Sequence, residues 1–223
     1  ISTRESEWQD VIAVAEANAA VWATVGIHPH EADAHPGVDA ARLVKAAEHP
    51  RVVGIGESGL DYYYDHSDRG QQQASFREHI AAARTTGLPL IVHTRDAEAD
   101  TAAILRDEMG KGAFCGIIHC FTASADFARI ALDLGFLISL SGIVTFKNAS
   151  DLQAVAKIIP EDRLLVETDA PFLSPVPHRG RPCEPAYVAD TARFVAGLRG
   201  VSFEQLSETT SANFLKLFGK VKA

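Results

Sequence analysis

Apolar positions recur along this chain in two alternating rhythms. At residues 5–20 the spacing of Trp8, Val11, Ile12, Ala15 and Ala19 predicts an amphipathic helix, and continuous apolar runs such as 21–27 and 52–57 predict strands covered on both faces. The succession continues with a helix at 42–47, ended near His49-Pro50, and a helix at 68–86 with Phe76, Ile80 and Ala83 inward and Gly87 as its cap. Strands follow at 88–93, 114–119, 136–141 and 164–169, separated by helices at 97–108, 124–134 and 151–159, and helices at 186–198 and 203–218 close the chain. Strand and helix alternating in this way predict parallel βαβ units, hence the α/β class. Six strands repeating at roughly 28 residues match the unit of a (β/α)8 barrel, and eight such units would need about 40 residues more than precede residue 21. The pattern therefore fits either an open six-stranded α/β sheet or a (β/α)8 TIM barrel that lacks its first strand and most of its second. Composition does not change along the chain, so a single domain over residues 1–223 is expected.

Composition narrows the chemistry. A formal net charge of −8 argues against a broad electrostatic platform for nucleic acid, so any phosphate partner must be held locally by metals or a few cations. Cys115, Cys120 and Cys183 are too few and too unevenly placed for a disulfide framework, which suits a cytoplasmic protein. No apolar run reaches the length of a bilayer span and no basic-then-apolar leader is present, so no membrane partner is expected. The chain opens at Ile1 and its single methionine is Met109, from which an incomplete N-terminus is expected.

The polar residues that end the apolar runs carry the candidate chemistry. Residues 52–57 deliver Glu57, 90–93 deliver His93, 116–119 deliver His119, and 164–169 deliver Asp169. In parallel barrels the ends of several strands converge on one mouth. Imidazole and carboxylate suit divalent ions such as Mg, Mn or Zn, and a carboxylate can bridge two of them. Glu167, two residues before Asp169, shares its face and serves either to orient a ligand or as an ion pair inside the barrel. Arg95 after the third of these six strands, and Arg179 after the last, bring guanidinium groups suited to phosphate oxygens. Cys120 is expected to act as a small apolar group.

Together these stretches resemble the TatD-like metal-dependent deoxyribonuclease family, within the metal-dependent hydrolase barrels. The resemblance is carried by Val25-Gly26-Ile27-His28-Pro29-His30, Gly54-Ile55-Gly56-Glu57-Ser58-Gly59-Leu60-Asp61-Tyr62-Tyr63, Pro89-Leu90-Ile91-Val92-His93-Thr94-Arg95-Asp96-Ala97, His119-Cys120-Phe121-Thr122 and Glu167-Thr168-Asp169-Ala170-Pro171-Phe172-Leu173. It implies a (β/α)8 barrel that cuts DNA phosphodiester bonds with divalent metal ions, two per site. It implies Glu57 as the bridging ligand, His93 and His119 as ligands of one ion, and Asp169 as a ligand and base, so that Glu57 and Asp169 are catalytic. The family's His-x-His on the first strand has no match, because the strand count puts His28 and His30 on the third. His30 is therefore assigned to the substrate side, together with Arg95 and Arg179. Cys183 stands where relatives commonly carry Asn before Glu184-Pro185, which weakens any substrate contact there. Two alternatives stand beside the nuclease: an ester or amide hydrolase of the same barrel group, such as an aminoacyl-tRNA deacylase, and a non-catalytic scaffold barrel.

Overall fold

The computed structural model describes residues 1–222. Strands β1 (Ala23–Val25), β2 (Val52–Asp61), β3 (Leu90–Arg95), β4 (Gly116–Ile118), β5 (Leu137–Leu140) and β6 (Leu164–Val166) alternate with helices α1 (Trp8–Ala17), α2 (Ala40–Ala47), α3 (Arg69–Thr86), α4 (Glu98–Lys111), α5 (Ala125–Asp133) and α6 (Ser150–Ile158). Helices α7 (Val188–Arg199) and α8 (Phe203–Leu217) follow. The α/β class and the order of elements are those the hydrophobic pattern predicts. The chain divides into two compact units, residues 1–117 with 217–223, and residues 118–216.

In the first unit β1, β2 and β3 pair in parallel, in chain order. Val25, Ile55, Leu60, Leu90 and Val92 are fully buried, as expected for strands covered on both faces. The helices start where short polar side chains close the first turn: Asp39 accepts from Arg42 N, and Asp68 from Gln71 N. Helix α3 ends on Gly87 in the left-handed conformation, the cap its sequence predicts. Trp8 Nε1 donates to Gly26 O at 3.1 Å, tying α1 to the end of β1. In the second unit β5 pairs parallel with β6, and Asn213 Nδ2 donates to Glu161 O and Leu164 O, fastening α8 to the start of β6.

Two departures from the predicted elements matter. Residues 28–30 do not extend the first strand, because Pro29 opens a 3₁₀ turn over Pro29–Ala34 with His28 as its cap. His28 and His30 thus lie beyond the strand to which the sequence count assigns them. Strand β2 does not stop at Glu57 but runs on to Asp61, with its register against β3 shifting between Ile55 and Ser58. That shift occurs across Gly56, and Gly59 follows it. At Gly59, φ is +149° and a Cβ would lie 1.9 Å from His93 O, so only glycine lets the two backbones meet at this level.

His79 locks the same unit from within. It is fully buried on α3, accepts from Ile27 N at Nε2 (2.8 Å) and donates from Nδ1 to Ser75 O (2.7 Å). The ring is thus satisfied as the neutral tautomer, and burial pushes its pKa down to about 4.

Two predictions follow from these contacts. Gly59→Ala should destabilise by more than about 2 kcal/mol, whereas Gly87→Ala, where an added Cβ meets nothing within 4 Å, should cost only about 1 kcal/mol for its left-handed backbone; thermal unfolding of both variants checks the order. For His79 the folded pKa lies below the unfolded value near 6.5, so its contribution is complete above pH 6.5 and is lost as pH falls toward 4, on the order of 3 kcal/mol. Urea unfolding at several pH values, with chelator present, should show a shallower acid limb in His79→Gln.

Candidate metal centres

In the first unit the bulged end of β2 and the end of β3 bring carboxylates and imidazoles together. His93 lies between two of them, with Nδ1 3.0 Å from Glu57 Oε1 and Nε2 3.1 Å from Asp61 Oδ2. Burial alone would lower the His93 pKa, but hydrogen bonds to Asp61 and Glu57 raise it above its ordinary value. A position that draws a proton between carboxylates also suits a cation. Asp61 is fully buried, and its carboxylate is held by three hydrogen bonds. Oδ1 accepts from Tyr63 N and Tyr64 N, both at 3.1 Å, while Oδ2 faces His93 and, at 2.9 Å, His30 Nε2. Burial opposes ionisation of Asp61, yet the hydrogen bond from His93 and the backbone N–H groups bring its pKa well below the usual carboxylate range.

His28 adds a third imidazole, its Nε2 3.6 Å from Glu57 Oε1. Burial lowers its pKa to about 4. Its Nδ1 accepts from His30 N, so in the neutral ring the hydrogen sits on Nε2 and faces Glu57. His28 therefore steadies the carboxylate rather than offering it a competing lone pair. His30 Nε2 is close to Asp61 but off the line of a hydrogen bond, and remains an unsatisfied buried nitrogen.

The second unit repeats the arrangement with different residues. His119 Nδ1 is 2.8 Å from Glu167 Oε1, and Nε2 is 3.4 Å from Asp169 Oδ1. Glu167 also accepts from Cys120 N (2.7 Å) and Ser139 Oγ (2.6 Å). Burial would raise the Glu167 pKa, but the neighbouring His119 and these hydrogen bonds hold it below the ordinary value. An ionised Glu167 takes the Nδ1 hydrogen and turns the Nε2 lone pair toward Asp169, the arrangement by which a carboxylate orients a ligating histidine. Cys120 and Asp169 both have left-handed backbones, φ 44° and 62°, which turn the chain sharply after the strand ends.

These donors fit divalent metal. His28, Glu57 and His93 have ligand atoms within 4.8 Å of one another, and so do His119, Cys120 and Asp169. Within the first group, Glu57 and the Nδ1 side of His93 face each other, while the His30 nitrogen lies on the other side of the His93 ring, against Asp61. Within the second, His119 Nε2 and Asp169 Oδ1 face each other at 3.4 Å. The Cys120 thiol is not a ready ligand, because burial pushes its pKa up to about 12 and Sγ sits 3.1 Å from Ser141 Oγ.

The structure thus groups Glu57 with His93, and His119 with Asp169. Arg95 is exposed, with its guanidinium carbon 4.1 Å from the centre of the Tyr63 ring and 4.7 Å from that of Tyr64. Arg179 lies over Phe146 at 4.2 Å. Cys183 is buried, its Sγ 3.8 Å from Thr168 O, packed beneath the chain that carries Asp169. Sequence reasoning gave no part to Asp61 or His28. Asp61 was within reach of it, since positions four apart on a strand share a face. His28 was not, because its approach to Glu57 depends on the turn at Pro29.

A family model described as TatD related DNase matches residues 1–219. The chain is 52% identical over 195 residues to the uncharacterized metal-dependent hydrolase YcfH of Escherichia coli K12, covering 86% of this chain and 72% of that protein. It is 35% identical over 224 residues to a Klebsiella pneumoniae protein named 3'-5' ssDNA/RNA exonuclease TatD, covering 97% and 84%. Among solved structures, the TatD homologue YjjV of Escherichia coli K12 superposes with a TM-score of 0.89 at 28% identity, over 98% of this chain and 84% of that one. These neighbours place the fold among α/β barrels of the TIM type.

The role given to Glu167 is measurable. Glu167→Gln should weaken one step of a Mn²⁺ titration followed by calorimetry by about 10- to 100-fold, and His119→Ala should remove the same step.

Proposed function

The chain belongs to the TatD-related DNase family of metal-dependent hydrolases, and from that premise we propose that it hydrolyses phosphodiester bonds in DNA, releasing nucleotides from a strand end. The observation that carries the proposal is the twice-built pair of a histidine and a carboxylate, each histidine backed by a second carboxylate. Asp61 stands behind His93 and Glu167 behind His119. A hydrolase that works through divalent metal needs such a donor set, and a structural ion pair would need only one carboxylate per ring.

In this proposal Glu57 and His93 would hold divalent metal in the first unit, and His119 and Asp169 would hold it in the second. The bound ions supply Lewis acidity, which eases deprotonation of water and offsets charge on a phosphoryl oxygen. Asp169 takes the proton from the attacking water. Asp61 and Glu167 keep the ring hydrogens of His93 and His119 on the nitrogens that face away from the ligand side. His30, Arg95 and Arg179 meet the substrate, with the guanidinium groups suited to phosphate oxygens. The exonuclease name of the Klebsiella relative supports a nucleic-acid substrate. Among the described residues no helix is long and apolar enough to cross a membrane, and all three cysteines are free, which supports the cytoplasm as its place of work.

The full-length protein should release nucleotides from end-labelled single- or double-stranded DNA when Mn²⁺ or Mg²⁺ is added. Glu57→Ala and His93→Ala should reduce that release to the background without enzyme. Aminoacyl-tRNA assayed beside DNA provides the contrary outcome: metal-stimulated deacylation without release of nucleotides would overturn the nuclease.

A further inference from the structure

The segment that follows Asp61 carries an exposed group of rings, with Arg95 lying across them, whose aromatic faces the hydrolytic chemistry does not use. Tyr63 and Tyr64 are 57% and 49% exposed, far more than rings engaged in a core. They stand edge to face with centres 4.8 Å apart. Tyr64 is stacked on exposed His66, 5.4 Å between centres and 7° between planes, and Arg95 covers both tyrosines. His30 meets Tyr64 and His66 edge-on, at 5.5 and 4.8 Å.

The group is built onto the metal-ligand cluster rather than merely near it. One oxygen of Asp61 takes the backbone N–H groups of Tyr63 and Tyr64, and the other takes His93 Nε2. The turn presenting the rings and the ring of His93 are thus held by a single buried carboxylate. Tyr62, the remaining tyrosine of the run, is tied down instead, donating to Asp100 Oδ2 at 2.7 Å.

From this arrangement we infer that Tyr63 and Tyr64, with His66 and Arg95, form a stacking platform for the unpaired bases of a single-stranded nucleic acid; the inference rests on the nucleic-acid reading above. A base presents a flat π-face to exposed aromatic rings, and a guanidinium against them adds its own face. In a duplex those faces are stacked on each other, so the platform selects an open strand. With a net charge of −8, long-range attraction for phosphates contributes little, so binding must come from local contacts. Stacking supplies affinity that long-range charge does not.

The test uses the full-length protein in EDTA, where cleavage does not intervene, and fluorescence anisotropy with two dye-labelled probes. One is a short oligothymidylate; the other is a strand of the same length whose residues lack bases but keep every phosphate. Wild type should favour the base-bearing strand. Tyr63→Ala and Tyr64→Ala should each weaken oligothymidylate binding by about 5- to 100-fold and leave the baseless strand unchanged, while Tyr64→Phe, which keeps the ring, should bind as wild type does. Equal binding of the two strands by wild type, or equal losses for both in the alanine variants, would overturn the platform even if the protein cleaves DNA. Absence of both binding and Mn²⁺-dependent cleavage on either strand would instead overturn the nucleic-acid reading itself.

Discussion

Charge placed at the ends of buried apolar strands must be paired, and the pairing of each imidazole with a second carboxylate is the constraint on which this protein's chemistry depends. A lone ionised side chain there would carry a desolvation cost of several kcal/mol. His93 meets that cost through Asp61 and Glu57, and His119 through Glu167 and Asp169. The carboxylates behind the rings leave one nitrogen of each histidine directed at the ligand side. Orientation and solvation are therefore solved by the same contacts, an arrangement whose donors fit a cation.

Backbone geometry makes those pairings possible. Gly59 brings β2 against His93 O more closely than any side chain would permit, and the register shift before it carries Glu57 and Asp61 to the two sides of one imidazole. Asp61 extends the order outward, since the oxygen not used by His93 fixes the turn that exposes Tyr63 and Tyr64. The first unit, from the His79 lock to the β2–β3 pair, thus supports both the candidate metal-binding residues and the surface beside them. In the second unit Ser139 and the backbone of Cys120 perform the corresponding service for Glu167.

Much of this was open to inspection in the order of residues. Apolar runs of four to six residues ending in His, Glu or Asp announce buried strands with polar tips, and the helical spacing between them announces the crossovers. The α/β class and the position of each element to within a few residues follow from that alternation, and the family resemblance follows from the motif residues at the strand ends. Periodicity determines such features because strand and helix burial is a local property, repeated at every second or every third to fourth position. The motif residues Glu57, His93, His119 and Asp169 were named on the same basis, together with Arg95 and Arg179.

What the chain order left undecided are the partnerships. That Asp61 rather than a solvent molecule stands behind His93, that His28 turns to Glu57 after a 3₁₀ turn instead of continuing a strand, and that Arg95 lies across tyrosine rings each depend on register, on a bulge and on the path of a turn. These are set by contacts between residues tens of positions apart, and no local periodicity encodes them. The sequence by itself determined which ligand types end the strands; the tertiary structure decided which atom of each faces which partner, because hydrogen-bond direction exists only once the backbones have met.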